Sequence, residues 1–266
     1  MAQPLLSIVT VSLNAGRTID DTLASVARQA VESAIEHICV DGGSVDDTRP
    51  IIDGWAQRSS RITRVYEPDR GIFDAMNKGL RAARGEYVLF LNADDFLADR
   101  HSLATALHGM RPGSVDNPDL ITGHVAMGKP GAWGLWRHRR VPRLLGHLPG
   151  LFPVQQGLIV KRALLVQLGG FDAHMRLASD VTMYYDLARR FRLSVRRIDK
   201  DLAFMRAGGA ANAGLSAILL GSAEIYRHLA PIHGFLEAAL MVGVKSLQSL
   251  SELRCGRCPH QRWFST

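Results

Sequence analysis

Short apolar runs in the first part of this chain keep ending on polar side chains, and that repetition limits the fold more than any other feature. Leu5–Val11 runs out toward Asn14, His37–Val40 stops at Asp41, and Tyr87–Leu91 stops at Asn92-Ala93-Asp94-Asp95. A further run, Ile62–Tyr66, precedes Glu67-Pro68-Asp69-Arg70. Each is short and apolar and reads as a strand. Between them the apolar positions switch to helical spacing: Ile19, Leu23, Val26 and Ala27 within Thr18–Arg28, then Ile51, Ile52 and Trp55, then Ile72–Ala83, closed by Gly85. Thr18 with Asp21, and Ser44 with Asp47, have the spacing of helix-capping pairs. Repeated βα units predict an α/β fold with a mostly parallel central sheet and helices on both faces. Ligands of such sheets gather at the carboxyl ends of the strands. Asn14, Asp41, Glu67 to Arg70 and Asn92 to Asp95 all fall there.

Carboxylates at the tip of a buried strand are costly unless something pairs with them. A divalent cation suits Asp94 and Asp95, because hard oxygen ligands favour Mg²⁺ or Mn²⁺ that also touch substrate phosphates. Taken alone, the run is explained more simply as a polar strand exit with Asp95 capping the next segment. Asp41 stands where it could accept a hydrogen bond from a base N–H or a ribose hydroxyl, with glycines behind it that permit close approach. The turn Asp41-Gly42-Gly43-Ser44 accounts for it equally as a cap. Asp180, in Leu177-Ala178-Ser179-Asp180, could deprotonate an incoming hydroxyl, or simply cap the helix that follows. Spacing does not choose between these.

The 266 residues, 47% hydrophobic and 21% charged, suit one large domain with an extension. We expect residues 1–212 to form the α/β unit and 213–266 a helical extension with a basic tail. In the latter, Ile225, Leu229, Ile232, Leu236, Leu240, Val244 and Leu247 recur at helical spacing, interrupted near Pro231 and Gly234. Three cysteines are too few for a disulfide framework, and Cys255 and Cys258 lack the second ligand pair of a zinc site. No secretory signal is visible, and Glu224, Arg227, Pro231 and Glu237 break the most apolar C-terminal stretches. A cytoplasmic protein, peripheral on the inner face of the membrane, is the expectation. The net charge of +7 favours an anionic partner: phosphorylated substrate, lipid headgroups or nucleic acid. From Leu120 to Phe171 there is no acidic residue, while Trp133 and Trp136 adjoin Arg137-His138-Arg139-Arg140. This segment, 133–148, fits contact with an anionic membrane surface or polyanion, and a solvated basic loop just as well.

The order of motifs resembles the family 2 glycosyltransferases, which have the GT-A nucleotide-sugar fold. It is carried by Ser7-Ile-Val-Thr-Val-Ser-Leu-Asn14, Val40-Asp41-Gly-Gly-Ser-Val-Asp-Asp-Thr48 and Glu67-Pro-Asp-Arg-Gly-Ile-Phe-Asp-Ala-Met-Asn-Lys-Gly79. It continues through Gly85-Glu-Tyr-Val-Leu-Phe-Leu-Asn-Ala-Asp-Asp95, Gln155-Gln156, Gly169-Gly-Phe-Asp172 and Ala178-Ser-Asp180. One such motif is weak; the ordered set is specific. The resemblance implies inverting, metal-dependent transfer of a sugar from a nucleotide diphosphate donor. It makes Asp41 the reader of the base, Asp94 the metal ligand with Asp95 auxiliary, and Asp180 the base that deprotonates the acceptor. Asn14, Asp69, Arg70, Lys78 and Asn92 fall on the donor side, with a solvent-facing helix position as the plainer reading of Lys78. Gln156 and the Gly208-Gly209 turn fall where the family shapes the donor-sugar and acceptor pocket. The acceptor implied is a saccharide, free or lipid-linked, of a surface polysaccharide or glycolipid.

Two positions depart from the family pattern. Asn92 stands where the first acid of Asp-x-Asp is expected, so fewer carboxylates hold the metal. Gln155 stands where a His is expected, which removes a titrating group and leaves acceptor specificity open.

Other classes fit less well. A dinucleotide oxidoreductase needs Gly-x-Gly-x-x-Gly after the first strand, and Ser12-Leu-Asn-Ala-Gly16 does not supply it. The P-loop motif is absent, as is the Gly-rich, Arg-containing first loop of a sugar nucleotidyltransferase. Nucleic-acid binding would rest on charge and the Trp/Arg segment, and leaves the acidic strand tips unexplained. A non-catalytic nucleotide-sugar or polyanion-binding protein is the alternative that shares most of the motifs.

Overall fold

The computed structural model describes residues 3–31, 35–128, 137–139, 154–206 and 215–254, with the backbone alone at 137–139 and 247–254. Its elements are β1 (Leu6–Ser12), α1 (Ile19–Ala27), β2 (Ile35–Asp41), α2 (Thr48–Arg58), β3 (Ile62–Tyr66), α3 (Ile72–Ala82), β4 (Tyr87–Phe90), β5 (Phe96–Leu97) and α4 (Ser102–Ala106). They continue with β6 (Leu120–Gly128), β7 (Arg137–Arg139), a 3-10 turn at Gln155–Gly157, β8 (Leu158–Lys161), α5 (Arg162–Gln167), α6 (Ser179–Arg190), β9 (Val195–Arg206), α7 (Leu215–His233) and α8 (Phe235–Arg254). The expected division between residues 212 and 213 falls outside the described residues, as do Trp133, Trp136, Arg140, Gly208, Gly209, Cys255 and Cys258.

The sheet runs β3-β2-β1-β4-β8-β6-β9-β5, with β7 on β6. The parallel expectation holds from β3 to β4; beyond β4 the sheet is mixed, because β8 enters antiparallel and β6 and β5 each pair antiparallel to a neighbour. β6 and β9 run with β4, so their carboxyl ends reach the same edge as those of the first four strands. The antiparallel β8 begins at that edge, so its leading turn, Gln155–Gly157, joins it.

Alternation along the central strands fills both faces. Val9, Val11, Ile38, Val40, Val88 and Phe90 enter one cluster with α3 and α6. Leu6, Ile8, Tyr87, Leu89 and Leu91 enter the opposite one with residues of α1 and α4. The period of two in side-chain direction assigns each set to its face. At roughly 25 cal/mol per Å² of apolar surface removed from water, these two layers are the main stabilising contribution.

Several local expectations are corrected. Thr18 makes no side-chain cap on α1; its hydroxyl turns back to the Ala15 carbonyl instead. Ser44 is drawn to Asp41, and Asp46 rather than Asp47 receives the Thr48 N–H at the start of α2. Gly85 does not end α3 as a cap. A Cβ there would lie 2.5 Å from the Ser7 backbone nitrogen, so the glycine permits close approach of two strands. Pro231 does not interrupt α7, which continues to His233 and breaks at Gly234, where φ is 92°. The break needs positive φ, which glycine adopts without strain.

A buried acid at the opposite end of β2 binds the parallel half together. Glu36 accepts from the Ser7 hydroxyl at 2.6 Å, the Arg84 and Gly85 N–H groups at 2.7 and 3.2 Å, and the Arg84 guanidinium at 2.8 Å. Burial works to raise its pKa, but these donors outweigh burial and hold it below the usual carboxylate range. A folded-state pKa below the unfolded one means stability that is present above the unfolded value and is lost as pH falls through the folded value. Glu36→Gln should therefore be less stable than wild type by about 1–3 kcal/mol near neutrality, from donors left without a full partner. Urea midpoints between pH 7 and pH 3 should show that gap narrowing below the ordinary glutamate range. A gap that stays constant would contradict the linkage.

Candidate active site

The loops after β1 and β2 are stitched to each other by short polar side chains. The Asn14 N–H donates to the Ser44 hydroxyl at 2.7 Å, and the Val45 N–H donates to Asn14 Oδ1 at 3.0 Å. The Ala15 N–H meets Thr48 Oγ1 at 2.7 Å, and the Gly16 N–H meets Asp46 at 2.9 Å. Asn14 holds a φ of 52°, a left-handed conformation that asparagine tolerates better than most residues. Asp41, fully buried, sits beneath this pair of loops. It accepts from the N–H groups of Gly43 and Ser44, the hydroxyls of Ser44 and Ser12, and Arg49 Nε at 2.6 Å. Burial opposes the charge, yet those donors keep the carboxyl below its ordinary range.

The loop after β3 lies against the same glycines. A Cβ on Gly42 would come 1.9 Å from the Asp69 carboxylate, so that carboxylate needs the bare glycine backbone. Lys78 is pinned by the Pro68 carbonyl at 2.5 Å and lies 3.6 Å from Asp74. Its expected solvent-facing alternative does not hold, since its side chain is 11% exposed. Arg70, by contrast, extends from the surface, with a loose 3.9 Å pairing to Asp74.

Asp94 and Asp95 differ sharply in environment. Asp95 is 1% exposed, and its two carboxylate oxygens receive Gln156 Nε2 at 2.7 Å and the Arg206 N–H at 3.1 Å. Its carbonyl takes the Thr22 hydroxyl at 2.6 Å. Burial, and then the charge of Asp94 beside it, push its pKa upward. Asp94 is half-buried, and burial raises its pKa too. Its carboxylate accepts its own backbone N–H and is drawn by the charge of Arg206, both opposing that rise, and its carbonyl accepts from Arg206 Nε at 2.7 Å. Asn92 is also half-buried and offers its carbonyl to the Asp95 N–H. No cluster of three or more His, Cys, Asp or Glu suited to a metal exists among the described residues. The donor set is therefore one half-buried carboxylate with an amide nearby. That fits a hard divalent ion completed by substrate phosphate and water, and does not fit an all-protein cage.

Arg206 escaped the sequence reading. It ends β9, bonds the Asp94 carbonyl, pairs with Asp21 and lies over the Phe96 ring at 5.6 Å. Spacing carries no signal for it, because its partners lie far away in sequence.

Asp180 lies in the first turn of α6, but Ala178 occupies the capping position, so helix capping does not explain it. The loop leading to it is held from two sides. On one, Asn77 of α3 clamps Phe171, accepting its N–H at 2.9 Å and donating to its carbonyl at 2.8 Å. Phe171 stacks on Phe73 and meets Phe90 edge-on. Gly170, with φ of 79°, leaves room for the Asn77 amide that a Cβ would strike at 2.4 Å. On the other side, Glu224 of α7 accepts the consecutive N–H groups of Arg176, Leu177 and Ala178 at 2.8, 3.0 and 3.1 Å. The Asp172 N–H closes the loop onto Ser179 Oγ at 2.6 Å. Glu224 reads in sequence as a charge interrupting an apolar helix; a lone acid flanked by Ala223 and Ile225 was the available hint.

Residues 7–163 match the family model described as Glycosyl transferase family 2. A PGL/p-HBAD biosynthesis glycosyltransferase of Mycobacterium bovis is 37% identical over 128 residues, 48% of this chain and 49% of that protein. An uncharacterized glycosyltransferase of Mycobacterium tuberculosis is 27% identical over 188 residues, 66% of each. The match thus spans about half the length of the first of these relatives. In structure, the chain is similar to S. aureus TarS solved with UDP, at TM-score 0.61 and 18% identity, over 90% of this chain and 70% of that one. It is similar also to PcManGT, a mannosyltransferase from Pyrobaculum calidifontis solved with GDP-Man and Mn²⁺, at TM-score 0.64 and 20% identity over 94% and 73%. These likenesses give the fold as GT-A.

Glu224→Ala leaves three loop N–H groups without their acceptor and should lower stability by about 2 kcal/mol. Glu224→Gln keeps one acceptor oxygen and should lose less. Hydrogen exchange at Arg176, Leu177 and Ala178 should quicken in the alanine variant; unchanged protection would contradict the assignment.

Proposed function

The chain belongs to glycosyl transferase family 2, and from this we propose that it transfers a sugar, with inversion, from a nucleotide diphosphate donor to an acceptor hydroxyl. The observation that carries the reading is the contrast at the end of β4. Asp95 is buried and held by Gln156 and Arg206, while the half-buried Asp94 carboxylate beside it is bonded by its own backbone N–H. A carboxylate held in place by its neighbour, at the edge where such sheets bind ligands, suits a metal–diphosphate contact.

When bound, Mg²⁺ or Mn²⁺ would neutralise charge on the departing nucleoside diphosphate. Asp94 would hold the ion, with Asn92 a neutral neighbour. Asp95, whose oxygens already have donors, acts as the anchor of the loop and an auxiliary ligand. The loops of Asn14, Asp41, Asp69 and Arg70 receive the nucleotide. Asp41 already holds Gly43, Ser44 and Arg49, so it presents the loop that faces the base, and a direct bond to the base replaces one of those donors. Arg70 supplies a mobile cation for the diphosphate, and Lys78 sets the shape of the 67–70 loop. Asp180 takes the proton from the acceptor hydroxyl, whose oxygen attacks the anomeric carbon in line as the C–O bond to the diphosphate breaks. Gln156 borders the sugar and acceptor.

The acceptor we favour is a lipid-linked saccharide met at the inner face of the cytoplasmic membrane. No helix among the described residues is long and apolar enough to cross a membrane. Leu219 on α7 and Phe235, Leu236 and Leu240 on α8 stand exposed, apolar side chains suited to an interface.

Nucleotide-sugar turnover should require Mg²⁺ or Mn²⁺ and fall about 10²–10⁴-fold in Asp180→Asn, the usual range for loss of a general base. Asp94→Ala should lose turnover and its metal response together. Full activity in Asp180→Asn would remove the base assignment, and turnover indifferent to chelator would remove the metal role. Nucleotide-sugar binding without turnover would favour the non-catalytic binder. Sedimentation with anionic liposomes should weaken when Arg137, Arg139 and Arg140 are all replaced by alanine; undiminished binding would count against that contact.

A further inference from the structure

The first two turns of α6 carry Asp180 and Tyr184 one turn apart on the same face. Side chains on a helix lean back toward its N-terminus, so a long ring at residue 184 lies over the turn that bears residue 180. Tyr184 is 5% exposed and packs in the sheet-facing cluster with Phe90 and Phe171. That packing accounts for the ring. It does not account for the hydroxyl, which is buried and has no hydrogen-bond partner among the described residues. A buried hydroxyl without a partner is destabilising, and phenylalanine would fill the same space without that cost. A packing role alone leaves the oxygen unexplained.

Burial raises the pKa of this phenol, and the charge of Asp180 adds to the rise, so the carboxylate acts on the hydroxyl and the hydroxyl keeps its proton. Other titratable groups around this end of α6 have partners of their own. Glu224 of α7 takes the N–H groups of residues 176–178, Asp172 takes the His174 N–H, and Asp186, further along α6, holds His228 and His233. At the sheet edge Asp95 is held by Gln156 and Arg206, with Asp94 beside it. We propose that Tyr184 is a positioning residue whose hydroxyl donates to the Asp180 carboxylate and holds it turned toward the acceptor. The proposal rests on the reading of Asp180 as the base. One carboxylate oxygen takes the phenol O–H. The other receives the proton of the acceptor hydroxyl as that oxygen bonds to the anomeric carbon and the diphosphate departs. The phenol proton stays in place throughout. Such bonds are often long in a free enzyme and tighten when substrates are bound. A donor to the ionised form lowers the carboxyl's pKa, which keeps the base ready near neutrality.

The test is an NMR titration of Asp180 in the full chain carrying isotope-labelled aspartate, with its carboxyl signal identified by its absence in Asp180→Asn. In Tyr184→Phe that signal should titrate about one pH unit higher than in wild type, as expected for the loss of one donor to the charged form. With UDP-glucose or GDP-mannose as donor probe, kcat should fall about tenfold while KM stays within about twofold, and the acidic limb of the pH profile should move upward by the same interval. An unmoved Asp180 titration would overturn the proposal; if the melting temperature fell as well, the hydroxyl would be serving the core. A raised donor KM at unchanged kcat would make the hydroxyl a substrate contact and overturn it too. The titration is read without turnover, so it separates this proposal from the one beneath it. Full turnover in Asp180→Asn with the titration displaced would sink the base and leave the hydrogen bond. An inactive Asp180→Asn with the titration unmoved would keep the base and remove Tyr184.

Discussion

A carboxylate buried beside another carboxylate is the constraint on which this molecule's working edge depends. Asp95 cannot sit at the end of β4 without donors, because an unpaired buried charge costs several kcal/mol. Its donors come from Gln156, at the entry to the antiparallel β8, and from Arg206, at the exit of β9. Satisfying one acid therefore joins the parallel half of the sheet to the mixed half at the edge where ligands bind. The same arrangement leaves its neighbour Asp94 half-buried. Two adjacent aspartates thus sit in different surroundings, one buried in the scaffold and one half-buried at its edge, and environment rather than residue type separates them.

The C-terminal helices are bound into this scheme more closely than an extension need be. Asp186 on α6 holds His228 and His233 of α7 at 2.9 Å each. Tyr185 and Arg189 of α6 both reach Glu237 of α8. Ala178, Tyr185, Ile225, Leu229, Ala238 and Met241 form an apolar cluster between the three helices. With Glu224, these contacts make α7 and α8 a support for the turn that carries Asp180. Charges that break an apolar helix on paper are, in the fold, the fasteners between helices.

What could be read in advance was what depends on neighbours along the chain. The strands of the parallel half, the helices between them and the edge bearing Asn14, Asp41 and Asn92 to Asp95 follow from periodicity and position. Irregular segments after residue 100 gave no period to read, and the antiparallel entry of β8 is a matter of long-range pairing. The capping pairs at Thr18 and Ser44 failed because other acceptors and donors took their hydroxyls: Thr18 turns back to the Ala15 carbonyl, and Ser44 is shared between Asp41 and the Asn14 N–H. Glu36, Arg206 and Glu224 were illegible because each acts on backbone far away in sequence. Buried polar groups of this sort carry no pattern; their partners define them.

Asn77 and Lys78 are consecutive residues of α3, and their side chains leave the helix in different directions. One grips the Gly170-Phe171 turn ahead of Asp180, and the other braces the Pro68 carbonyl beside Asp69 and Arg70. Roughly 100° of helical rotation separates successive residues, so a single rigid rod meters the distance between the 67–70 loop and the 170–178 loop. A rotation or slip of that rod would shift both loops together, which ties the position of Asp69 and Arg70 to that of the turn ahead of Asp180.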